Sequence, residues 1–258
     1  MNTATITQKI SQFVSENPLN RVESMKIDYI FDEPLVGVAA VSDPLFVKLK
    51  EPDAIGPHHL LPQEWLPGAV SVVSYFIPFA QQIRAANRSE GLPALEWVYG
   101  RYEGEQFNEA LRRYLVEEIQ KTGAAALAPA VDARFETVQN QTIMTSNWSE
   151  RHTAFIAGLG TFGLHKSFIT AKGCAGRFGS VITTLDLPPT PRPYSNIYEY
   201  CTNCYACVAR CPSGAVTPQG KVKAVCMNYI NSEIKPRFMP RHGCAKCQTA
   251  VPCEFAKP

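Results

Sequence analysis

The sequence predicts an α/β fold with a mixed sheet over residues 1–190, followed by a smaller, cysteine-dense part over residues 191–258. Three observations carry this. Apolar, β-branched runs alternate with segments of helical period in the first part. All nine cysteines lie beyond residue 173, and eight of them fall between Cys201 and Cys253. Between the two parts, Leu187-Pro-Pro-Thr-Pro-Arg-Pro-Tyr194 reads as a stiff, extended connector, which sets the domain boundary.

Taken in order, the N-terminus reads as an amphipathic helix with Ile6, Ile10, Phe13 and Val14 on one stripe. Leu35 to Val41 and Ala69 to Ile77 are strand-like, the second closed by Pro78. His58 and His59 follow Pro57 in what reads as a turn or helix start. Glu105 to Thr122 is the clearest helix, with Phe107, Ala110, Leu111, Tyr114, Leu115 and Ile119 at helical spacing and Gly123 as C-cap. Ala124 to Leu127 is a further short strand, Glu150 to Ala157 a helix running into a glycine-rich turn, and Ser180 to Leu185 a strand. Such alternation favours a mixed or mostly parallel sheet with helices on its faces.

Composition narrows the function. Hydrophobic residues make up 45 %, so a packed core is expected, and a formal net charge of +2 gives no electrostatic case for nucleic acid or an anionic membrane. The most apolar stretch, Gly68 to Ala80, is broken by Ser71, Ser74 and Pro78, so no membrane span is expected. No secretory signal is evident, and the expected location is the cytoplasm. There, cysteines serve as metal ligands or redox groups more often than as disulfides.

Cys201-x2-Cys204-x2-Cys207-x3-Cys211-Pro212 has the spacing of the bacterial ferredoxin run. Three closely spaced thiolates reach three irons of one cubane; the fourth, at the start of a helix with Pro212 in its first turn, serves a neighbouring cluster. Zinc sites use paired knuckles with a longer loop between them, a poorer match. The expected cofactors are therefore two [4Fe–4S] clusters in a ferredoxin-like domain. One is held by Cys201, Cys204, Cys207 and Cys253, the other by Cys211, Cys226, Cys244 and Cys247. Cys253 departs from the usual spacing, with Pro252 before it, and a free thiol is its alternative reading. Cys174 has no local partner and reads as a small buried hydrophobe.

Beyond the cysteines, three segments carry a resemblance. These are Ser71-Val-Val-Ser-Tyr-Phe-Ile-Pro78, Glu150-Arg151 followed by Ala157-Gly-Leu-Gly-Thr-Phe-Gly163, and Gly179-Ser-Val-Ile-Thr-Thr-Leu-Asp-Leu-Pro188. In this order and ahead of the cysteines, the chain resembles the epoxyqueuosine reductase-like proteins, which are related to corrinoid-dependent reductive dehalogenases. The resemblance implies a base-off cobalamin on the α/β part, fed with electrons through the clusters. It implies cofactor contacts at Gly158, Gly160 and Gly163, for which a helix C-cap and tight turn is the other reading, and at Tyr99, in a Tyr-Arg-rich loop with Arg101 and Tyr102. Met144 stands where the family has its proton-donating Asp, and Asn147 where it has a proline; methionine has no proton to give.

The catalytic candidates are then His152, as a donor near neutral pH, Glu150 and Arg151. Each also has a plainer reading: His152 and Glu150 as helix-start residues, Arg151 as the partner of a nearby acid. The expected function is an iron–sulfur oxidoreductase acting on a small molecule, with an electron donor such as ferredoxin or flavodoxin. The alternative is a non-catalytic electron-transfer protein that serves a partner such as a corrinoid protein.

Overall fold

A computed structural model describes residues 1–139 and 144–258, with Gln139 and Met144 described by backbone alone. The donor position at Met144 therefore begins a short strand, Met144–Ser146, paired antiparallel with Thr137–Gln139, while its side chain lies outside the described part.

The organising elements are helix α1 (Thr3–Glu16), strands β1 (Leu35–Ala40) and β2 (Ser71–Pro78), helix α2 (Leu95–Gln120), strand β3 (Ala126–Leu127), helix α3 (Glu150–Ile156) and strand β4 (Gly176–Thr183). The sheet order is β1-β2-β4-β3 and every neighbouring pair is antiparallel. The α/β character stands; the expected mixed or parallel pairing does not. The chain between β1 and β2 returns to the same edge instead of crossing over, and β4 enters between β2 and β3 from far along the sequence.

Side chains alternate across this sheet with period two. Val38, Val73 and Val181 face α1 and α2, where they meet Ile6, Ile10, Phe107, Leu111 and Leu115. Ala39, Val72 and Ile182 face the other way, toward Phe46, Trp65, Trp148, Phe155 and Ile156. That second core continues without a break into the cysteine-dense part through Cys207, Val216, Cys247, Val251 and Cys253.

Helix α2 runs 26 residues and starts ten residues before the periodic stretch. Tyr99, Arg101 and Tyr102 are thus helical, not a loop. The glycines that look like breakers are close-packing positions. A Cβ on Gly100 would lie 2.6 Å from Ile83 Cδ1, and one on Gly104 would lie 2.8 Å from Phe31 Cζ. Burying Trp97 and Val98 in the same turns outweighs the roughly 1 kcal/mol that each glycine costs a helix.

The proline-rich connector lies along the free edge of β1, where Thr190 donates to the Val38 carbonyl at 2.9 Å and its Oγ1 accepts from Val38 N at 2.9 Å. Beyond it, the cysteine-dense part is pinned to the 84–89 region. Lys246 Nζ and Arg210 Nη2 donate to the carbonyls of Asn87 and Ser89, and Asn87 Nδ2 donates to Cys244 O at 3.1 Å. Buried Glu254 accepts from Arg88 at 2.9 Å and from Ala250 N at 2.7 Å. No helix among the described residues is long and apolar enough to cross a membrane.

Candidate functional site

Cys201 and Cys204 sit on a loop that Asn203 and Tyr205, both at positive φ, curl back on itself, and Cys207 lies in the short helix Ala206–Ala209 that follows. Cys253 reaches the same small cavity from the C-terminus, beside Leu164, His165 and Val251. Cys211, Cys226, Cys244 and Cys247 line a different cavity of ≈ 430 Å³. The expected helix start at Cys211 is absent: Pro212 and Ser213 form a tight turn that Gly214 closes with a bond to the Cys211 carbonyl. Burial, reinforced by neighbouring thiols, pushes Cys207 up to about 11, and burial pushes Cys247 up to about 12 with Lys221 opposing and neighbouring thiols reinforcing. These groups are protonated until a metal displaces the protons.

Cys174 does have a partner. Its thiol lies 3.9 Å from Cys253 Sγ. His165 Nε2 is 3.4 Å from the same sulfur, and its Nδ1 accepts from Ser167 N at 3.0 Å, so the Nε2 proton points at Cys253. The donor atoms of His165, Cys174 and Cys253 all lie within 4.8 Å of one another. His165 has no signal in the sequence; it is brought in by the hairpin of Gly160–Phe162 and Phe168–Thr170.

The Glu150-Arg151-His152 segment opens α3. Glu150 accepts from Ser180 Oγ at 2.6 Å, and its Oε1 is 3.6 Å from Arg112 Nε. Burial pushes its carboxyl up, with Arg112 opposing. Arg151 donates to the Lys166 carbonyl at 2.6 Å and borders two cavities. Its side chain is exposed to solvent through the cavities it lines. One of these is a wide cleft of ≈ 870 Å³ between the 45–54 segment, α3 and the cysteine-dense part. The other is a polar cavity of ≈ 340 Å³ beside Cys174.

His152 lines the cleft, with Nδ1 2.7 Å from Ser149 Oγ and its ring against Phe162. Burial and then Arg151 lower its pKa to about 3. The ring is therefore neutral at pH 7 and lacks the imidazolium expected of a donor at that pH.

At the four positions of the implied cofactor contacts the chain packs closely against itself. A Cβ on Gly160 would lie 2.0 Å from the Ile169 carbonyl, one on Gly158 2.8 Å from that of Pro191, and one on Gly163 2.7 Å from the His165 ring. Tyr99 stacks under Arg241 at 3.7 Å.

His59, expected in a turn, is fully buried. It stacks on Trp148, and its Nε2 accepts from Ser149 N at 3.3 Å, next to the start of α3. Burial lowers its pKa to about 4, helped by His58 and Lys50, with Glu64 opposing. The unfolded chain takes up this proton near pH 6.5 and the folded chain does not. Stability from this group is complete above that value and falls as pH drops toward about 4. The expected loss is on the order of 3 kcal/mol. Urea midpoints measured from neutral to acid pH should fall, and His59→Gln should flatten the slope.

Known proteins resemble the chain in its first cysteine run, in sequence and in fold. The family described as 4Fe-4S binding domain matches residues 195–217, which include Cys201, Cys204, Cys207 and Cys211. The epoxyqueuosine reductase of Leadbetterella byssophila is 27 % identical over 212 residues, covering 76 % of this chain and 63 % of that protein. The epoxyqueuosine reductase of Escherichia coli K12 is 28 % identical over 219 residues, covering 78 % of this chain and 54 % of that one. The chain spans about half to two-thirds of the length of these relatives. A selenomethionine-labelled epoxyqueuosine reductase crystal structure superposes with a TM-score of 0.54 at 17 % identity, over 98 % of this chain and 66 % of that one. The structure of a reductive dehalogenase, an enzyme of B12-dependent dehalogenation, gives a TM-score of 0.52 at 12 % identity over 89 % of this chain and 34 % of that one. The chain is similar in sequence to the epoxyqueuosine reductases, shares a fold with them and with the reductive dehalogenases, and carries a 4Fe–4S binding domain.

Proposed function

We propose that the chain is a cytoplasmic iron–sulfur reductase that passes electrons through two [4Fe–4S] clusters to a small molecule bound on the α/β part. The observation that carries this reading is that eight cysteines line two separate cavities, four to each. Soft thiolate quartets suit iron–sulfur cubanes. Cys201, Cys204, Cys207 and Cys253 would hold the first cluster, with the His165 Nε2 proton directed at a ligand sulfur. Cys211, Cys226, Cys244 and Cys247 would hold the second. A ferredoxin or flavodoxin is the proposed donor.

Cobalamin, which the likeness implies, is proposed for the ≈ 870 Å³ cleft. Leu45, Phe155, Phe162 and Ile197 offer it an apolar wall, and Lys48, Lys166 and Lys221 offer cations for a phosphate-bearing side chain. When bound, it would supply low-potential, metal-centred reduction. This chain's own residues would hold and enclose it there. His152 would act as a neutral hydrogen-bonding ring beside it.

Anaerobic reconstitution followed by iron and sulfide analysis tests the clusters. About eight irons per chain are expected, and about four would overturn the two-cluster reading. Titration of the reconstituted protein with hydroxocobalamin, followed by absorption and cobalt EPR, tests the cofactor. No binding at micromolar concentration would leave electron delivery to a partner protein as the function.

A further inference from the structure

The polar cavity beside Cys174 has a charge imbalance that the chain does not correct. Four arginines line it: Arg101 and Arg112 from α2, Arg151 from α3 and Arg177 from β4, with only Glu105 and Glu150 among them. Both acids are engaged. Glu105 pairs with Arg112 at 2.9 Å and with Arg177 at 3.3 Å. Glu150 faces Arg112 on one oxygen and takes the Ser180 hydroxyl on the other. Among the described residues, no carboxylate lies within ion-pairing distance of Arg101 or Arg151.

These two guanidiniums are also held in place. Arg177 Nη2 donates to the Arg101 main-chain carbonyl at 2.7 Å, which ties β4 to α2 beside the cavity. The Gly243 backbone presses against Arg101, where a Cβ would lie 2.3 Å from Nε, and that Nε is buried without a hydrogen-bond partner. Arg112, only 4 % exposed, makes no hydrogen bond at Nε and has there only the 3.6 Å ion-pair contact with Glu150. The crowding has an electrostatic signature: Arg177, and then burial, lower the Arg101 pKa to about 9. Like charges crowded around one partly enclosed cavity repel one another unless an anion joins them.

We propose that this cavity binds a small carboxylate, gripped between the Arg101 and Arg151 guanidiniums. Planar forked donors match a carboxylate's two oxygens. The cavity's ≈ 340 Å³ suits a short carbon skeleton, and Phe168 and Phe178, packed edge-to-face, give that skeleton an apolar wall. Inorganic phosphate would leave this wall unused. The position suits a reductase. Cys174 lines the cavity and touches Cys253, whereas Arg101 and Gln248 line both this cavity and that of the second cysteine quartet. The site therefore deepens the reductase reading, and rests on it for the identity of the ligand as a substrate.

Calorimetric titration of the anaerobically reconstituted protein with succinate, acetate and inorganic phosphate tests it. Succinate or acetate should bind. Arg101→Gln and Arg151→Gln should each weaken binding by about tenfold or more, the worth of a charge-assisted hydrogen bond. Arg101→Lys should recover part of the loss, and Arg134→Gln, on the far side of Trp65, should bind as the parent does. Melting curves of every variant separate lost binding from lost folding. No binding of either carboxylate by a protein with full iron would overturn the inference and leave the reductase reading standing. Tighter binding of phosphate than of succinate, or unchanged affinity in both glutamine variants, would also overturn it. Succinate binding by a protein with only about four irons would support the site and overturn the two-cluster reading.

Discussion

Replacing Cys211 with alanine is expected to remove about four of eight irons and to leave the other cluster's EPR signal in place. The chain changes cavity between Cys207 and Cys211. Cys207 lines the first cavity, and Cys211 lines the second together with three cysteines from later in the sequence. Arg210 anchors the crossing point, donating to the carbonyls of Thr249, Asn87 and Ser89. That anchor is independent of the thiol, so the loop holding Cys201, Cys204 and Cys207 keeps its path. Cys253→Ala should do the reverse and remove the first cluster's irons. Each variant should also lose several kcal/mol of stability, because metal binding and folding are one equilibrium in a segment this poor in core. Loss of both signals together in either variant, or of neither, would break the assignment of ligands to clusters.

Glu254→Ala is the second large effect, with an expected cost of about 3 kcal/mol or more. The carboxylate is 1 % exposed and takes bonds from Arg88 and from Ala250 N, with Arg84 at 3.5 Å. Removing it strands a guanidinium and an amide in a poorly solvated place. Because Arg88 is 43 % exposed, water recovers part of its share, so the cost stays at the lower end for buried pairs. The residue lies next to Cys253, and the Cys253 and Glu254 carbonyls accept from Cys174 N. Loosening the tail should therefore speed iron release to a chelator as well as lower the urea midpoint. An unchanged rate of iron release would show that the tail does not hold the ligand.

Much of this was legible in the sequence. The first four cysteines follow from spacing, because spacing is what a cubane constrains, whereas Cys253 departs from it and joins Cys201, Cys204 and Cys207 at one cavity only through the fold. Helix α1 and strands β1 and β2 follow from periodicity, because each buries one face or both. What was not legible depends on distant chain segments. Gly100 and Gly104 look like breakers until Ile83 and Phe31 are seen against them. His59 looks like a turn residue until Trp148 covers it. The antiparallel sheet needs β4 to enter between β2 and β3, and no local pattern encodes that order. Arg101 and Arg177 carry no signal individually; they become a site only when α2 and β4 bring them to the same cavity as Arg151.

The core that runs unbroken from β2 to Cys247 and Cys253 has a consequence for biosynthesis. A detachable ferredoxin could be fitted with metal late, after its neighbour had matured. Here Trp148, Phe155 and Phe168 share their packing with the ligand-bearing segment, so an unloaded chain would keep part of its interior wet. Iron starvation would then reach this protein first as a shortage of folded chains, drawn off by proteases, and only second as a shortage of active ones.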